Sequence, residues 1–138
     1  MANILKFSEA AIIALHSMFM LAMNMDRLLS TKELSETISA SENHLSKVMQ
    51  RLIKVGLVTS IRGPKGGFKL GKKPEQITFL DIYEAIDGKL ELDDCLLTAK
   101  MCSPNAECIL GSLITDINKQ VKDSLASKSL LDIVNKHK

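Results

Sequence analysis

Three closely spaced cysteines are the residues of this sequence best suited to a chemical role. Cys95, Cys102 and Cys108 follow one another as C-x6-C-x5-C, all within fourteen residues. Thiolates bind iron–sulfur clusters and soft metal ions, and a flexible loop lets three of them converge. Structural zinc sites usually carry paired C-x2-C or H-x3-H spacings, which are absent here. The pattern therefore favours a metal or cluster site over three unrelated thiols. Because three thiolates leave one position unfilled, a fourth ligand would come from elsewhere in the fold, from a second subunit, from solvent or from a small molecule.

The segments on either side of the cysteines are predicted to be helices that hold them in a loop. Thr78 and Asp81 form a capping signal for a helix that ends at Gly88, while residues 89–103 show no sustained period. Pro104 suits the first turn of a long amphipathic helix, whose stripe is typical of a core or a seam between subunits. The apolar residues of that stripe are Leu110, Leu113, Ile114, Ile117, Val121 and Leu125.

Two further helices are predicted at the ends of the chain. Residues 4–25 are apolar on nearly every side, with Glu9 and His16 as exceptions, so this helix should pack against its own domain and a second subunit. Ser129 and Asp132 cap a short final helix.

The composition favours a cytoplasmic protein. An odd number of cysteines does not suit a disulfide framework. The longest apolar run, residues 10–25, lacks the basic flank and cleavage site of a secretory signal. His16 and Ser17 interrupt it, and it is too short to cross a bilayer. We therefore expect no membrane partner.

A helix-turn-helix is predicted before the cysteine loop. Ser30 and Glu33 form a capping box, in which each side chain bonds the backbone N–H of the other residue. The chain then turns at Ser39-Ala40-Ser41, where Ser41 can cap a second helix. The core-facing residues of that helix are Leu45, Val48, Met49, Leu52 and Ile53.

The opposite face of this second helix is polar. Such a face is often only a solvated surface, but amides, hydroxyls and cations there can also bond base edges or phosphates. The predicted DNA-binding residues of this segment are Ser41, Asn43, Ser46, Lys47, Gln50 and Arg51.

A basic, glycine-rich hairpin follows, which we call the wing. Gly56 suits a helix end, and residues 57–61 and 68–70 have the composition of two short strands. Between them, Arg62-Gly63-Pro64-Lys65-Gly66-Gly67 predicts a sharp exposed turn. Arg62 and Lys65 could then lie against the phosphate backbone or in a minor groove.

The charge distribution supports a polyanionic partner better than the net charge of +2 does. Residues 1–74 hold 11 Lys and Arg against 5 Asp and Glu, a balance of +6. Residues 75–138 hold 7 against 11, a balance of −4. One part of the chain can thus face nucleic acid while the other serves a different role.

No arrangement typical of an enzyme is present. The sequence has no Ser/His/Asp set, and the wing lacks the Lys-Ser/Thr ending of a phosphate-binding loop. An iron–sulfur electron carrier is the alternative from another class, with an incidental basic segment. We expect a DNA-binding protein that is not an enzyme.

Together these motifs resemble the IscR/NsrR (Rrf-two) family of winged-helix iron–sulfur transcription regulators. The resemblance covers nearly the whole chain, and the wing phrase is its most specific part. The matching pieces are Lys6-Phe7-Ser8-Glu9, Asn43-His44-Leu45-Ser46-Lys47-Val48, Gly56-Leu57-Val58, Arg62-Gly63-Pro64-Lys65-Gly66-Gly67 and the three cysteines.

The resemblance implies a homodimer on a palindromic operator, with a 2Fe-2S or 4Fe-4S cluster near the dimer interface. Cys95, Cys102 and Cys108 match its three cysteine ligands. Members similar to IscR place a histidine three residues after the last cysteine, where this chain has Gly111. Members similar to NsrR use an aspartate of the partner's first helix, and Glu9 stands at the matching place. Glu9 is therefore the implied fourth ligand.

We expect a mainly α protein in three parts. These are a winged helix-turn-helix domain over residues 1–88 with a small β-hairpin wing, a cluster loop over 89–108, and a long C-terminal dimerisation helix followed by a short one over 109–138. The predicted function is a repressor or activator whose operator affinity follows cluster state, in response to nitric oxide, redox or iron status. A regulator without a cluster, responding to thiol oxidation or a partner protein, is the alternative.

Overall fold

The computed structural model describes residues 7–92, 109–110 and 112–137. Within those ranges the chain is mainly helical, with one two-stranded antiparallel sheet. No helix in them is both long and apolar enough to span a bilayer. In chain order the elements are α1 Glu9–Met23, α2 Thr31–Ile38, α3 Glu42–Lys54, β1 Val58–Ile61, β2 Gly67–Leu70, a 3₁₀ turn Pro74–Gln76, α4 Phe79–Asp87, α5 Leu113–Ser127 and α6 Leu130–His137.

Helix α1 is shorter and less buried than its sequence predicts. The Ser8 Oγ accepts the Ala11 N–H at 3.0 Å, so the helix begins at Glu9, and residues 4–6 lie outside the described ranges. Ile12 keeps 41% of its surface exposed, and the His16 Nδ1 donates to the Ile12 carbonyl at 2.8 Å. An overall apolar composition therefore did not identify the buried face, which packs against α3, α4 and α6.

The helix-turn-helix forms as predicted, with one difference at its first cap. Ser30 Oγ accepts the Glu33 N–H at 3.1 Å, but the Glu33 carboxylate pairs with Arg27 at 2.8 Å instead of returning to the Ser30 backbone. Ser39 then adopts a left-handed conformation, with φ at 61°, and turns the chain towards α3.

Helix α3 is limited by signals at both ends. Ser41 Oγ accepts the His44 N–H at 3.1 Å, as predicted. At the other end, Gly56 has a φ of +83°, and the Leu57 N–H donates to the Leu52 carbonyl at 3.0 Å, which together make a Schellman termination. The residues of α3 that enter the core are Leu45, Val48, Met49 and Leu52.

The two strands pair in the order expected of a wing. Val58 lies opposite Leu70 and Ile61 opposite Gly67. Leu29 extends this sheet by one bridge, because it donates to the Phe68 carbonyl at 3.1 Å and accepts the Phe68 N–H at 2.8 Å. The connection between α1 and α2 therefore anchors the wing to the rest of the domain.

The two C-terminal helices differ in burial. Helix α5 spans Leu113–Ser127. The predicted helix start near Pro104 lies outside the described residues. None of the residues of α5 is buried. Helix α6, by contrast, returns to the N-terminal core, where the Leu130 N–H donates to the Ile77 carbonyl at 2.9 Å and Val134 is buried.

Candidate nucleic-acid interface and cluster region

Helix α3 presents a continuous polar face beside the wing. Its apolar stripe faces the core formed with α1 and α2, so the residues between those positions point outward. The predicted reading residues Asn43, Lys47 and Gln50 are exposed, and Ser46 is half-exposed. Side-chain amides and ammonium groups on such a helix can reach base edges and phosphates in a major groove.

Two other predicted residues of α3 already hold structural contacts. The exposed Ser41 uses its hydroxyl oxygen for the helix cap, with the hydroxyl proton left to donate elsewhere. Arg51 is also exposed, but its Nη1 donates to the Ile86 carbonyl of α4 at 3.0 Å. The bond between Arg51 and Ile86 joins residues 35 apart in the chain, so no local sequence signal could have indicated it.

The wing tip is a tight turn that carries two exposed cations. The Gly66 N–H donates to the Gly63 carbonyl at 2.9 Å, which places Pro64 and Lys65 at the two central positions. A Cβ on Gly66 would lie 2.1 Å from the Ile61 carbonyl oxygen, so a side chain does not fit there. Lys65 and its neighbour Arg62 are exposed, as predicted.

The proposed cluster ligands are only partly within the described structure. Cys95, Cys102 and Cys108 lie outside the described residues, as does Gly111. In the ranges that are described, no three His, Cys, Asp or Glu side chains form a metal site. Glu9 is exposed in the first turn of α1. Its carboxylate is thus accessible to a metal or cluster held by another segment or subunit.

The last turn of α4 contains polar groups that the sequence did not single out. The Asp87 carboxylate accepts the Ser8 hydroxyl, and the Glu84 carboxylate accepts the Leu90 N–H. Tyr83 lies nearby, and partial burial raises its pKa, with further contributions from the negative charges of Asp87 and Glu84.

Comparison with known proteins identifies this arrangement. The family model Rrf2, described as an iron-dependent transcriptional regulator, matches residues 7–136. The transcriptional regulator NsrR of Bacillus licheniformis is 32% identical over 117 residues, which cover 84% of this chain and 82% of the relative.

Solved structures agree with these sequence matches. CymR, the global cysteine regulator of B. subtilis, has a TM-score of 0.77 at 30% identity, covering 96% of this chain and 98% of its own. IscR of T. potens has a TM-score of 0.74 at 27% identity, covering 97% of this chain and 89% of its own. The mainly helical winged-helix fold is therefore confirmed, and the matched proteins are regulators rather than enzymes.

Proposed function

We propose that this chain, which belongs to the Rrf2 family of transcriptional regulators, represses transcription as a homodimer whose DNA affinity is set by an iron–sulfur cluster. The observation that carries the DNA-binding part is the exposed polar face of α3 beside an anchored basic wing. A regulator of this kind acts in the cytoplasm, where it meets chromosomal DNA.

Recognition of DNA would be divided between α3 and the wing. Asn43, Ser46 and Gln50 would bond base edges in the major groove, while Lys47 would contact either bases or phosphates. Arg62 and Lys65 would contact the backbone or an adjacent minor groove. Ser41 would donate its hydroxyl proton to a phosphate at the start of α3, where the helix dipole also favours an anion.

Dimerisation would be supplied mainly by α5. Its apolar residues Ile114, Ile117 and Val121 recur at helical spacing, yet none of them is buried in the single chain. A second copy covering this stripe would remove it from water. Two α3 helices in such a dimer would meet palindromic half-sites about 34 to 36 Å apart, or a multiple of that spacing.

The cluster would be held by Cys95, Cys102, Cys108 and Glu9 of the partner subunit. This donor set fits, because three thiolates suit a 2Fe-2S or 4Fe-4S cluster and the exposed Glu9 carboxylate is available as a harder fourth ligand. When bound, the cluster would supply a redox- and nitric-oxide-reactive centre. In this proposal residues 1–88 bind DNA, 89–108 hold the cluster, and 109–138 provide the dimer helix and α6.

A regulator without a cluster is the second candidate. The similarity to CymR, the global cysteine regulator of B. subtilis, favours a response to thiol chemistry or cysteine supply. In that case the three cysteines would act as thiols, and the protein prepared without oxygen would be colourless.

Purification without oxygen, followed by iron and sulfide analysis and visible absorbance, separates the two candidates. We expect iron and sulfide in the wild type and loss of the visible absorbance in Cys102→Ala. Glu9→Gln should change the spectrum or the rate of cluster loss, whereas Glu75→Gln, at another exposed glutamate, should not. Colourless wild-type protein that still binds duplexes selected from a random library would support the thiol alternative.

A further inference from the structure

The last turn of α4 contacts three parts of the chain that are distant in sequence. Its residues Glu84, Ile86 and Asp87 each make one of these contacts through a different group: a side-chain carboxylate, a main-chain carbonyl and a second carboxylate. Ile86 itself is buried, so this turn is fixed to the core rather than fraying. We call residues 84–87 the α4 junction.

The first contact reaches the DNA-binding helix. Arg51 lies in the last turn of α3, and its Nη1 donates to the Ile86 carbonyl at 3.0 Å. That carbonyl belongs to the end of a helix, where the backbone carries partial negative charge, so a guanidinium is a favourable partner. The bond fixes the C-terminal half of α3 relative to α4.

The second contact reaches the start of α1. The Ser8 hydroxyl donates to the Asp87 carboxylate, with Oγ at 2.7 and 2.9 Å from its two oxygens, and the same Oγ accepts the Ala11 N–H at 3.0 Å. Glu9 follows directly in the chain. The position of the proposed fourth ligand is therefore tied to Asp87.

The third contact reaches the segment that leads to the cysteines. The Leu90 N–H donates to the Glu84 Oε2 at 2.9 Å, after Gly88 has ended the helix with a φ of +80°. The Leu90 side chain is 9% exposed, which anchors it as well. Cys95 is only five residues further along the chain.

We infer that the α4 junction transmits the state of the cluster to the DNA-binding helix, with Asp87 and Arg51 as positioning residues. This inference rests on the proposed function. Ser8, which precedes Glu9, and Leu90, which precedes the cysteine segment, both bond to one turn of α4, and the same turn bonds to α3 through Arg51. Any displacement of Ser8 or Leu90 on cluster binding is therefore passed to α3 through fixed hydrogen bonds. In a dimer, even a small tilt of α3 alters the spacing between two recognition helices.

Asp87→Ala is the direct test, because it breaks the bond to Ser8 but leaves the Ser8 cap of α1 intact. The probe is a duplex enriched from a random library by cluster-loaded wild-type protein. Its affinity is measured by fluorescence anisotropy for the cluster-loaded and the cluster-free protein. Coupling between sites typically changes affinity by about 5- to 150-fold. We expect such a ratio for the wild type and for Glu75→Ala, a control that removes another exposed carboxylate. For Asp87→Ala we expect a ratio well below that of the wild type, because only the Leu90 contact remains.

A wild-type ratio in Asp87→Ala would overturn the inference and leave the proposed function standing. Equal affinities of the two wild-type forms would overturn both. If Asp87→Ala does not fold, Glu84→Ala replaces it with the same expectation, because it releases Leu90 instead of Ser8.

Arg51→Ala provides a readout that needs no cluster. A residue that positions α3 should leave the salt dependence of binding to a random-sequence duplex unchanged, whereas loss of a phosphate contact flattens the slope of log K against log salt by about 0.9. Lys47→Ala is the comparison on the same helix. If Arg51→Ala flattens the slope as a phosphate contact would, the positioning role assigned to Arg51 is overturned.

Discussion

Ser17→Ala is expected to stabilise this protein, although it removes a polar group from the middle of α1. Ser17 is fully buried, and its Oγ has no hydrogen-bond partner within the part of the chain that the structure describes. A buried hydroxyl without a partner costs about 1 to 3 kcal/mol. Alanine removes that cost and suits a helix better than serine by about 0.5 kcal/mol.

The small void left by the oxygen works against this gain. A void the size of a methyl group costs about 1 kcal/mol, and a hydroxyl leaves no more than that. The expected net effect is a rise of about 1 to 2 kcal/mol in the free energy of unfolding. Ser17→Val should instead destabilise the protein by about 1 to 3 kcal/mol, because a larger side chain at this fully buried position must displace its neighbours.

Ser35→Ala is the matched control. Ser35 is also buried in a helix, at 6% exposure, but its Oγ donates to the Lys32 carbonyl at 3.0 Å. Its substitution loses a hydrogen bond worth about 1 kcal/mol, partly offset by helix propensity. We therefore expect Ser35→Ala to be neutral or destabilising by up to about 1 kcal/mol.

Urea unfolding monitored by circular dichroism measures the change in stability of each variant. All variants must be compared at one protein concentration, because the proposed dimerisation would contribute to the apparent stability. An unchanged m value with a higher midpoint for Ser17→Ala would report a gain in stability alone. A lower midpoint for Ser17→Ala, or equal shifts for the two alanine variants, would refute the reasoning from the unpaired hydroxyl.

Three further predictions concern the wing, Tyr83 beside the α4 junction, and the core. Lys65→Ala should weaken binding to all duplexes and reduce the slope of log K against log salt by the amount of about one phosphate contact, measured by anisotropy across a salt series. Lys119→Ala, on α5, should leave that slope unchanged. An unchanged slope for Lys65→Ala would contradict its role. The single tyrosine, Tyr83, should titrate above its ordinary pKa of about 10 in an absorbance titration, because burial and the charges of Asp87 and Glu84 raise its pKa. Asp87→Asn should lower that pKa, and an unshifted wild-type curve would contradict this explanation. Because the folded-state pKa is raised, its contribution to stability is complete below about pH 10 and is lost as the pH rises through the folded value. Leu130→Ala should cost about 2 to 5 kcal/mol in urea unfolding, because this fully buried side chain fixes α6 to the core, and a loss below about 1 kcal/mol would contradict that.

Local signals in the sequence determined most of the element boundaries. Thr78 with Asp81 and Ser129 with Asp132 form reciprocal caps as predicted, since each pair lies within one helical turn. The polar face of α3 was also predictable, because helical periodicity separates it from the residues that enter the core. Membership of the family, likewise, depended on short motifs that the sequence displays directly.

The tertiary structure decided which of several locally possible contacts are made. Glu33 could bond the Ser30 backbone, but in the fold it pairs with Arg27. The periodicity of α1 did not reveal its exposed face, since nearly every position is apolar and only the packing of α3, α4 and α6 selects the buried side. Arg51, a predicted DNA-binding residue, also donates to a carbonyl 35 residues away, a contact that its local sequence does not indicate. Such contacts depend on the distance between segments after folding, and a linear pattern carries no information about that distance.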